Sequence, residues 1–359
     1  MDKTMTYPYT PDTVSPPGET LADLLDERHM TQAELATRTG RPAKTISEII
    51  NGKAAITPET AIQFERVLGT PAAFWLAREQ RYREFLARQH DAAQLATQAS
   101  WANEFPLKAM VTQGWIVPAA TPVARLTSVL AFFAIATPDQ WEETHALYRK
   151  SPAFASNPRA VGAWLRRGEQ LAEAIACVPY DASIFRRVLI EARALTHAPF
   201  AQVRAELPQR CASAGVALVI VPELPQTRLC GATRWLAPDK ALIQLSIRYK
   251  TDDQFWFSFF HKAGHVLLHG KRAVFVDAQQ GAVDPQEQEA NRFAADMLIP
   301  AVQLQRFLQQ QRHPLSNEAV TRFARARGIA PGIVVGRLQH DGHLLRTHLN
   351  GLKQTTEIA

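Results

Sequence analysis

Sixteen residues from Phe255 to Gly270, FWFSFFHKAGHVLLHG, leave the chain around them few ways to fold. The run is almost wholly apolar, so a helix built from it must be buried around most of its circumference. Within it His261 and His265 stand four apart and therefore lie one above the other on a single helical face. That is the spacing of two metal ligands. A histidine pair on an apolar face is, without further context, more often core or surface, so the metal reading needs a third donor from another element.

The segment EQEANRFAADMLIP, about two dozen residues later, supplies one. Its helical pattern can turn Glu289 back onto the histidine helix, with Glu287 as the second choice and Asp296 as a partner behind a ligand. His269, one turn past His265 and next to Gly270, reads as a helix C-terminal residue. A hydrolytic zinc site needs three protein ligands, an open position for water and a carboxylate to take the water's proton. On such helices that base follows the first histidine, in the pattern HExxH. Here Lys262 stands there. An ammonium with an ordinary pKa of about 10.4 cannot accept a proton at neutral pH, and its charge opposes a neighbouring divalent ion. Three outcomes stay open: a zinc site that binds without hydrolysing, Lys262 pairing with Glu289 in place of the metal, or a lysine whose pKa the metal lowers enough to make it the base.

A chain of 359 residues exceeds one ordinary core, which predicts more than one domain. The composition, 46% hydrophobic and 21% charged, is that of a soluble globular protein. Neither a membrane-spanning run nor a signal-peptide core is visible, which predicts a cytoplasmic protein without a membrane partner. Cys177, Cys211 and Cys230 are odd in number and widely spaced, as reduced packing residues are; Cys230 is expected buried and inert. The net charge of +6 does not by itself argue for nucleic acid, because residues 1–90 hold eleven Lys and Arg against twelve Asp and Glu.

Residues 1–17 form a lead-in, and residues 18–90 carry five helical patterns. Leu21, Leu24 and Leu25 mark the first. Thr31 and Glu34 form a capping box opening the second, which Gly40 ends. The third runs from about Pro42 to Ile50, the fourth from Thr57 to Gly69, and the fifth from Pro71 to about Arg88. Helices two and three, joined around a glycine, have helix-turn-helix spacing. Arg41, Lys44, Thr45, Ser47, Glu48 and Lys53 lie on or beside helix three and are of types suited to base edges and phosphates. Residues 91–200 read as a helical middle region with breaks at Pro138, Pro152, Pro158 and Pro179. Its tryptophans, Trp101, Trp115, Trp141 and Trp164, are expected in core or interface, and Arg166-Arg167 and Arg186-Arg187 on solvated faces. Residues 201–359 carry three strands, GVALVIVPEL, GATRWLAP and KALIQLSIRY, then the histidine helix, the acidic helix and two short C-terminal helices read as a structural cap. The expected class is mainly α with a small sheet (α+β).

Two resemblances follow. Residues 16–79 resemble the helix-turn-helix of HigA-type antitoxin repressors, in the PGETL opening, TQAELA, KTISEIINGKAAITPETA and LGTPAAFWL. This implies a lambda-repressor-like five-helix unit, a homodimer reading an inverted-repeat operator in double-stranded DNA, and a toxin protein as a further partner. FFHKAGHVLLHG and EQEANRFAADMLIP, within about Val216 to Pro300, resemble the zincin-like ImmA/IrrE metallopeptidases, members of which cut helix-turn-helix repressors. That implies zinc as cofactor and His261, His265 and Glu289 as its ligands, with Lys262 at the general-base position. The expected function is a sequence-specific DNA-binding repressor of antitoxin type with a non-hydrolytic metallopeptidase-like sensor domain. The alternatives are an active zinc endopeptidase that cleaves a repressor, and an antitoxin that grips a toxin through the large domain.

Overall fold

The computed structural model describes residues 13–144, 157–227, 229–246, 248, 250–271, 275–276, 284–310 and 315–356. Most of the expected lead-in, Pro152, and most of the connection before the acidic helix lie outside them. The chain divides into two compact units, Met1–Gln98 and Ala99–Ala359. The protein is mainly α-helical with one small mixed sheet.

The first unit contains α1 (Pro17–Glu27), α2 (Gln32–Thr39), α3 (Ala43–Ile50), α4 (Pro58–Leu68) and α5 (Ala72–Gln98). Thr31 Oγ1 accepts from the Glu34 backbone N–H at 3.1 Å and so opens α2. The second half of the expected capping box is replaced, because the Glu34 carboxylate takes Arg38 at 2.6 Å. Thr57 caps α4 in the same way as Thr31 caps α2, accepting from Thr60 N–H at 3.3 Å. Leu21, Leu35, Ile46, Phe64 and Trp75 are fully buried where the five helices meet, each such side chain contributing roughly 1.5–3 kcal/mol by its burial. The fifth helix continues past the expected end near Arg88 to Gln98. No Gly or Pro interrupts it, and Glu79–Arg83 and Glu84–Arg88 pairs brace successive turns.

In the second unit, α6 (Leu107–Thr112), α7 (Pro122–Phe133), α8 (Asp139–Thr144), α9 (Pro158–Glu173), α10 (Ala182–Ala192) and α11 (Phe200–Ala212) precede the sheet. Pro158, expected as a break, begins α9: it occupies the first helical position, and Asn157 caps it by accepting from Ala160 N–H at 3.1 Å. Trp141 and Trp164 are buried as expected, and Arg159 lies over the Trp141 ring at 3.9 Å while pairing with Glu104. Arg166 is not a solvated residue, being partly buried against Glu169 and Glu173.

The strands are β1 (Val216–Ile220), β2 (Gly231–Ala237), β3 (Lys240–Leu245) and the short β4 (Phe275–Val276), ordered β1-β3-β2-β4. β1 runs parallel to β3, and β2 is antiparallel to both β3 and β4. Both faces of β3 are covered, hence its continuous burial. Gln244 hydrogen-bonds the Trp164 carbonyl of α9 on one face at 2.7 Å, while Ala241, Ile243 and Leu245 enter the main core on the other. That core surrounds α12 (Asp252–Leu268), the histidine helix, which also meets α13 (Pro285–Leu298) and α16 (Pro331–His340). Between the last two lie α14 (Ala301–Gln310) and α15 (Asn317–Arg327). The C-terminal pair is therefore more than a cap, since Ile333, Val334, Val335 and Leu338 are buried in the same core as Trp256 and Phe260.

The C-terminal residues strap the start of α12. Thr251 bridges to Thr355, the Asp252 N–H donates to the Gln354 carbonyl at 2.9 Å, and the Gln354 N–H donates to Asp252 Oδ1 at 3.0 Å. Lys353 pairs with Asp253 at 2.8 Å. Burial pushes the Asp252 carboxyl up to about 6, against the Gln354 hydrogen bond and with the charge of Asp253 adding to the rise. The folded state then holds a proton that the unfolded chain has released, so stability falls as pH rises from about 4 through about 6 and stays lower above. Asp252→Asn keeps the acceptor without the charge. It is expected to raise stability by about 2–3 kcal/mol at pH 8 and to change it little at pH 4, measured by urea unfolding at both.

Candidate metal centre and nucleic-acid interface

Aromatic packing on α12 fixes where its histidines point. Phe255, Trp256, Phe259 and Phe260 are buried against the sheet and the flanking helices, which rotates His261 and His265 toward α13. His261 and His265 are 4% and 1% exposed, and their Nε2 atoms stand 3.1 Å apart. Phe275, from β4, stacks on the His265 ring with centroids 4.0 Å apart. Two residues of strand between connections carry no periodic signal, and β4 was therefore not legible in the sequence. α13 comes close because residue 264 is glycine: a Cβ there would stand 3.3 Å from Ala290 Cα and 3.1 Å from the Phe293 ring.

The acid that α13 delivers to the histidines is Glu287. Its carboxylate lies 3.1 Å from His261 Nε2 and 3.4 Å from His265 Nε2. Glu289, the expected third ligand, is directed elsewhere, with Oε2 3.3 Å from His269 Nε2 and its side chain 59% exposed. The reason is helical phase, since two residues rotate by about 200° and cannot both face one point. Asp296, expected behind a ligand, instead accepts from the Ala301 N–H at the start of α14. His269 ends α12 as expected, and its ring Nδ1 also lies 2.9 Å from His265 Nδ1.

His261, His265 and Glu287 fit a metal ion on their own geometry. Tetrahedral zinc with ligands at about 2.0–2.1 Å requires ligand atoms roughly 3.3 Å apart; the two Nε2 atoms stand 3.1 Å apart, and the Glu287 carboxylate brings Oε2 to 3.1 Å from His261 and Oε1 to 3.4 Å from His265. Burial holds the His265 imidazole down at about 4, helped by Lys262 and His261 and opposed by the hydrogen bond to Glu287, so the ring is neutral and able to ligate near pH 7. For Glu287, burial alone would push the carboxyl up; the hydrogen bonds with both histidines and the charge of Lys262 outweigh it and hold the carboxyl well below the usual range.

Lys262 is fully buried on the sheet side of α12. Its Nζ reaches the Phe275 carbonyl at 3.5 Å, and its own carbonyl lies 3.4 Å from the Thr233 hydroxyl of β2. The outcome in which Lys262 pairs with Glu289 loses its acceptor, because that carboxylate is on His269. Cys230, expected buried, is only half-buried, at the entry to β2.

In the first unit, α2, the turn at Gly40 and α3 form the expected bihelical unit, held by Leu35, Ile46 and Ile49 beneath. Lys44 points outward, its side chain 86% exposed and 3.7 Å from Glu48. Thr45, Ser47 and Glu48 are half-buried along α3, Ser47 accepts from Asn51, and Lys53 is exposed just beyond it. Arg41 is held back, its Nε donating to Gln63 of α4 at 2.7 Å, which makes it a brace between helices as well as a surface cation.

Comparison with known proteins agrees with this two-part architecture. Residues 21–75 match the helix-turn-helix family and residues 231–338 match the IrrE N-terminal-like domain of the peptidase class. YddM of Escherichia coli strain K12, an uncharacterised HTH-type transcriptional regulator, is 37% identical over 60 residues, 17% of this chain. The match spans 64% of the length of that relative. Among solved structures, a putative antidote protein of a plasmid maintenance system from Nostoc punctiforme is 32% identical over 23% of this chain and 92% of its own, with a TM-score of 0.23. The Pseudomonas aeruginosa antitoxin HigA, solved with the higBA promoter, is 28% identical over 23% of this chain and 90% of its own, with a TM-score of 0.22. The chain thus carries an HTH_3-type helix-turn-helix domain, residues 21–75, and a Peptidase_M78-type IrrE-like domain, residues 231–338.

Proposed function

We propose that this chain is a sequence-specific DNA-binding repressor of antitoxin type, acting as a homodimer on an inverted-repeat operator, with a second unit that binds a metal ion and does not hydrolyse peptides. The observation that carries the first half is the outward face of α3, where Lys44, Thr45 and Ser47 stand over a fully buried Ile46 and Ile49. Such a helix can enter a major groove with short polar groups toward base edges and a cation toward phosphate. Binding to the DNA upstream of the chain's own reading frame tests it. Lys44→Ala is expected to weaken binding on every sequence alike and to reduce the salt slope by about one, whereas Thr45→Ala or Ser47→Ala shifts sequence preference by about 1–3 kcal/mol at one position. Unchanged binding in all three variants would remove α3 from the interface.

In the second unit His261, His265 and Glu287 are the proposed ligands. A bound zinc would supply a Lewis acid that polarises a carbonyl or a water. What the site lacks is a group to receive the water's proton, since Lys262 occupies the usual place of that base. The second reading, an active zinc endopeptidase, is favoured by the convergence of His261, His265 and Glu287 on one point and opposed by Lys262. The antitoxin part of the proposal adds a toxin protein as partner, in a cytoplasmic setting. Co-purification with the product of a small neighbouring reading frame tests that part.

A further inference from the structure

The end of β3, the first two turns of α12 and the C-terminal strap border a recess of about 230 Å³. Among the described residues it is lined by Arg248 and Lys250, by Thr251, Gln254 and Ser258 along α12, and by Thr356 of the strap. None of these is a proposed metal ligand. The space is below the roughly 300–1,000 Å³ of sites for drug-sized molecules, so it suits a small ion or a single headgroup. Thr356 is 2% exposed, its backbone N–H donates to the Lys250 carbonyl at 2.9 Å, and its Oγ1 is buried without a hydrogen-bond partner. A hydroxyl left in that state costs free energy unless a ligand, water or ion completes it. Thr251, at the N-cap of α12, makes no side-chain capping bond either, so its hydroxyl is not spent on the helix.

We propose that this recess binds a phosphoryl group, as free phosphate or as the end of a small phosphate monoester. Arg248 and Lys250 favour an anion over a water as the partner of Thr356, and Glu223 holds the Arg248 guanidinium in place at 3.2 Å. The positive end of α12 is already met by Asp252 and Asp253 in its first turn, so the charge for an anion comes from the two cations. Those two carboxylates do not oppose it at close range, being packed onto Gly332 and Gly336 of α16. Polar groups reach the recess from three chain segments instead of one planar fork, which suits a tetrahedral group with acceptors on every side better than a flat carboxylate. Ser258 lies one turn ahead of His261, and Cys230, also at the recess, precedes Gly231, where a Cβ would stand 3.3 Å from Lys262 Cε. The occupied recess thus bears on the helix that carries the histidines and gives the second unit a small ligand to sense. It stands whether or not that helix holds a metal.

Calorimetric titration of the full-length protein with inorganic phosphate, methyl phosphate and acetate, in chloride buffer without added metal, tests the site. The expected result is one saturable site for phosphate or methyl phosphate, with acetate weaker by about 10-fold or more. Tighter binding of methyl phosphate assigns the recess to a monoester, and equal or weaker binding assigns it to the free ion. Thr356→Val removes the hydroxyl at nearly constant shape. It is expected to weaken phosphate by about 10-fold while leaving the ligand-free melting temperature unchanged or higher, because no hydrogen bond within the chain is lost. A threonine that served the fold alone would instead lower the melting temperature and leave phosphate binding as it was. Lys250→Gln is expected to weaken phosphate by a few-fold, and Lys271→Gln, beside Trp235 and Pro238 at the other end of β2, to leave it unchanged. No saturable phosphate binding in the wild type, acetate bound as tightly as phosphate, or unchanged phosphate affinity in Thr356→Val or Lys250→Gln overturns the proposal.

Discussion

Lys262→Glu is expected to raise zinc affinity by roughly 10- to 100-fold and to turn on peptide-bond cleavage, which the proposed reading denies the natural chain. The affinity change follows from charge. Lys262 is fully buried, and its cation is close enough to Glu287 and His265 to shift both their titrations, so it repels any divalent ion they hold. Removing that repulsion is an effect of the size seen for groups just behind metal ligands. The cleavage follows from proton bookkeeping, since a positioned base contributes about 10²- to 10⁴-fold to such a reaction and Lys262 stands where that base would be. Elemental zinc content and release of peptides from an unfolded protein substrate measure the two parts. A variant that binds zinc as tightly as expected and cuts nothing would show that the site has lost more than its base.

Gly18→Ala is expected to cost the first unit about 3 kcal/mol or more and to abolish operator binding. Gly18 lies in the first turn of α1, directly against the end of α3. A Cβ there would sit 2.2 Å from the Ile49 carbonyl oxygen and 2.4 Å from that of Ile50. Backbone atoms cannot rotate aside as a side chain can, so the two helices must separate, and overpacking of that kind falls at the upper end of its usual range. Because α3 carries Lys44, Thr45 and Ser47, moving its end disturbs together the side chains proposed to face the groove. Urea unfolding followed by the Trp75 signal, with operator binding on the same preparation, reads both effects. A loss below about 0.5 kcal/mol with binding intact would show that α1 and α3 can slide apart at little cost.

What could be read from the residues alone depended on how local the signal was. The five helices of the first unit were legible because their ends are marked by residues whose chemistry acts within one turn: Thr31, Thr57, Gly40 and Gly69. The end of α5 was not, since no cap or breaker stands near Arg88 and the stop is set further along. The three longer strands carried β-branched and apolar runs, but β4 is two residues whose only reason for being a strand is the edge of β2 beside it. His261 and His265 were legible from spacing within one helix. Glu287 was not separable from Glu289, because the choice depends on how α13 is rotated about its own axis, which Gly264 and the Ala290 and Phe293 contacts decide from across the interface. The bracing role of Arg41 was not legible for the same reason, its partner Gln63 being on another helix.

The central claim of a metal centre built from His261, His265 and Glu287 is tested most directly by zinc content per chain. Protein purified without chelator or tag metal is compared with His261→Ala, Glu287→Ala and Glu289→Ala by elemental mass spectrometry. The account predicts about one zinc per wild-type chain, its loss in His261→Ala and Glu287→Ala, and its retention at saturating zinc in Glu289→Ala. No zinc in the wild type, or zinc that survives in Glu287→Ala and disappears in Glu289→Ala, would contradict it.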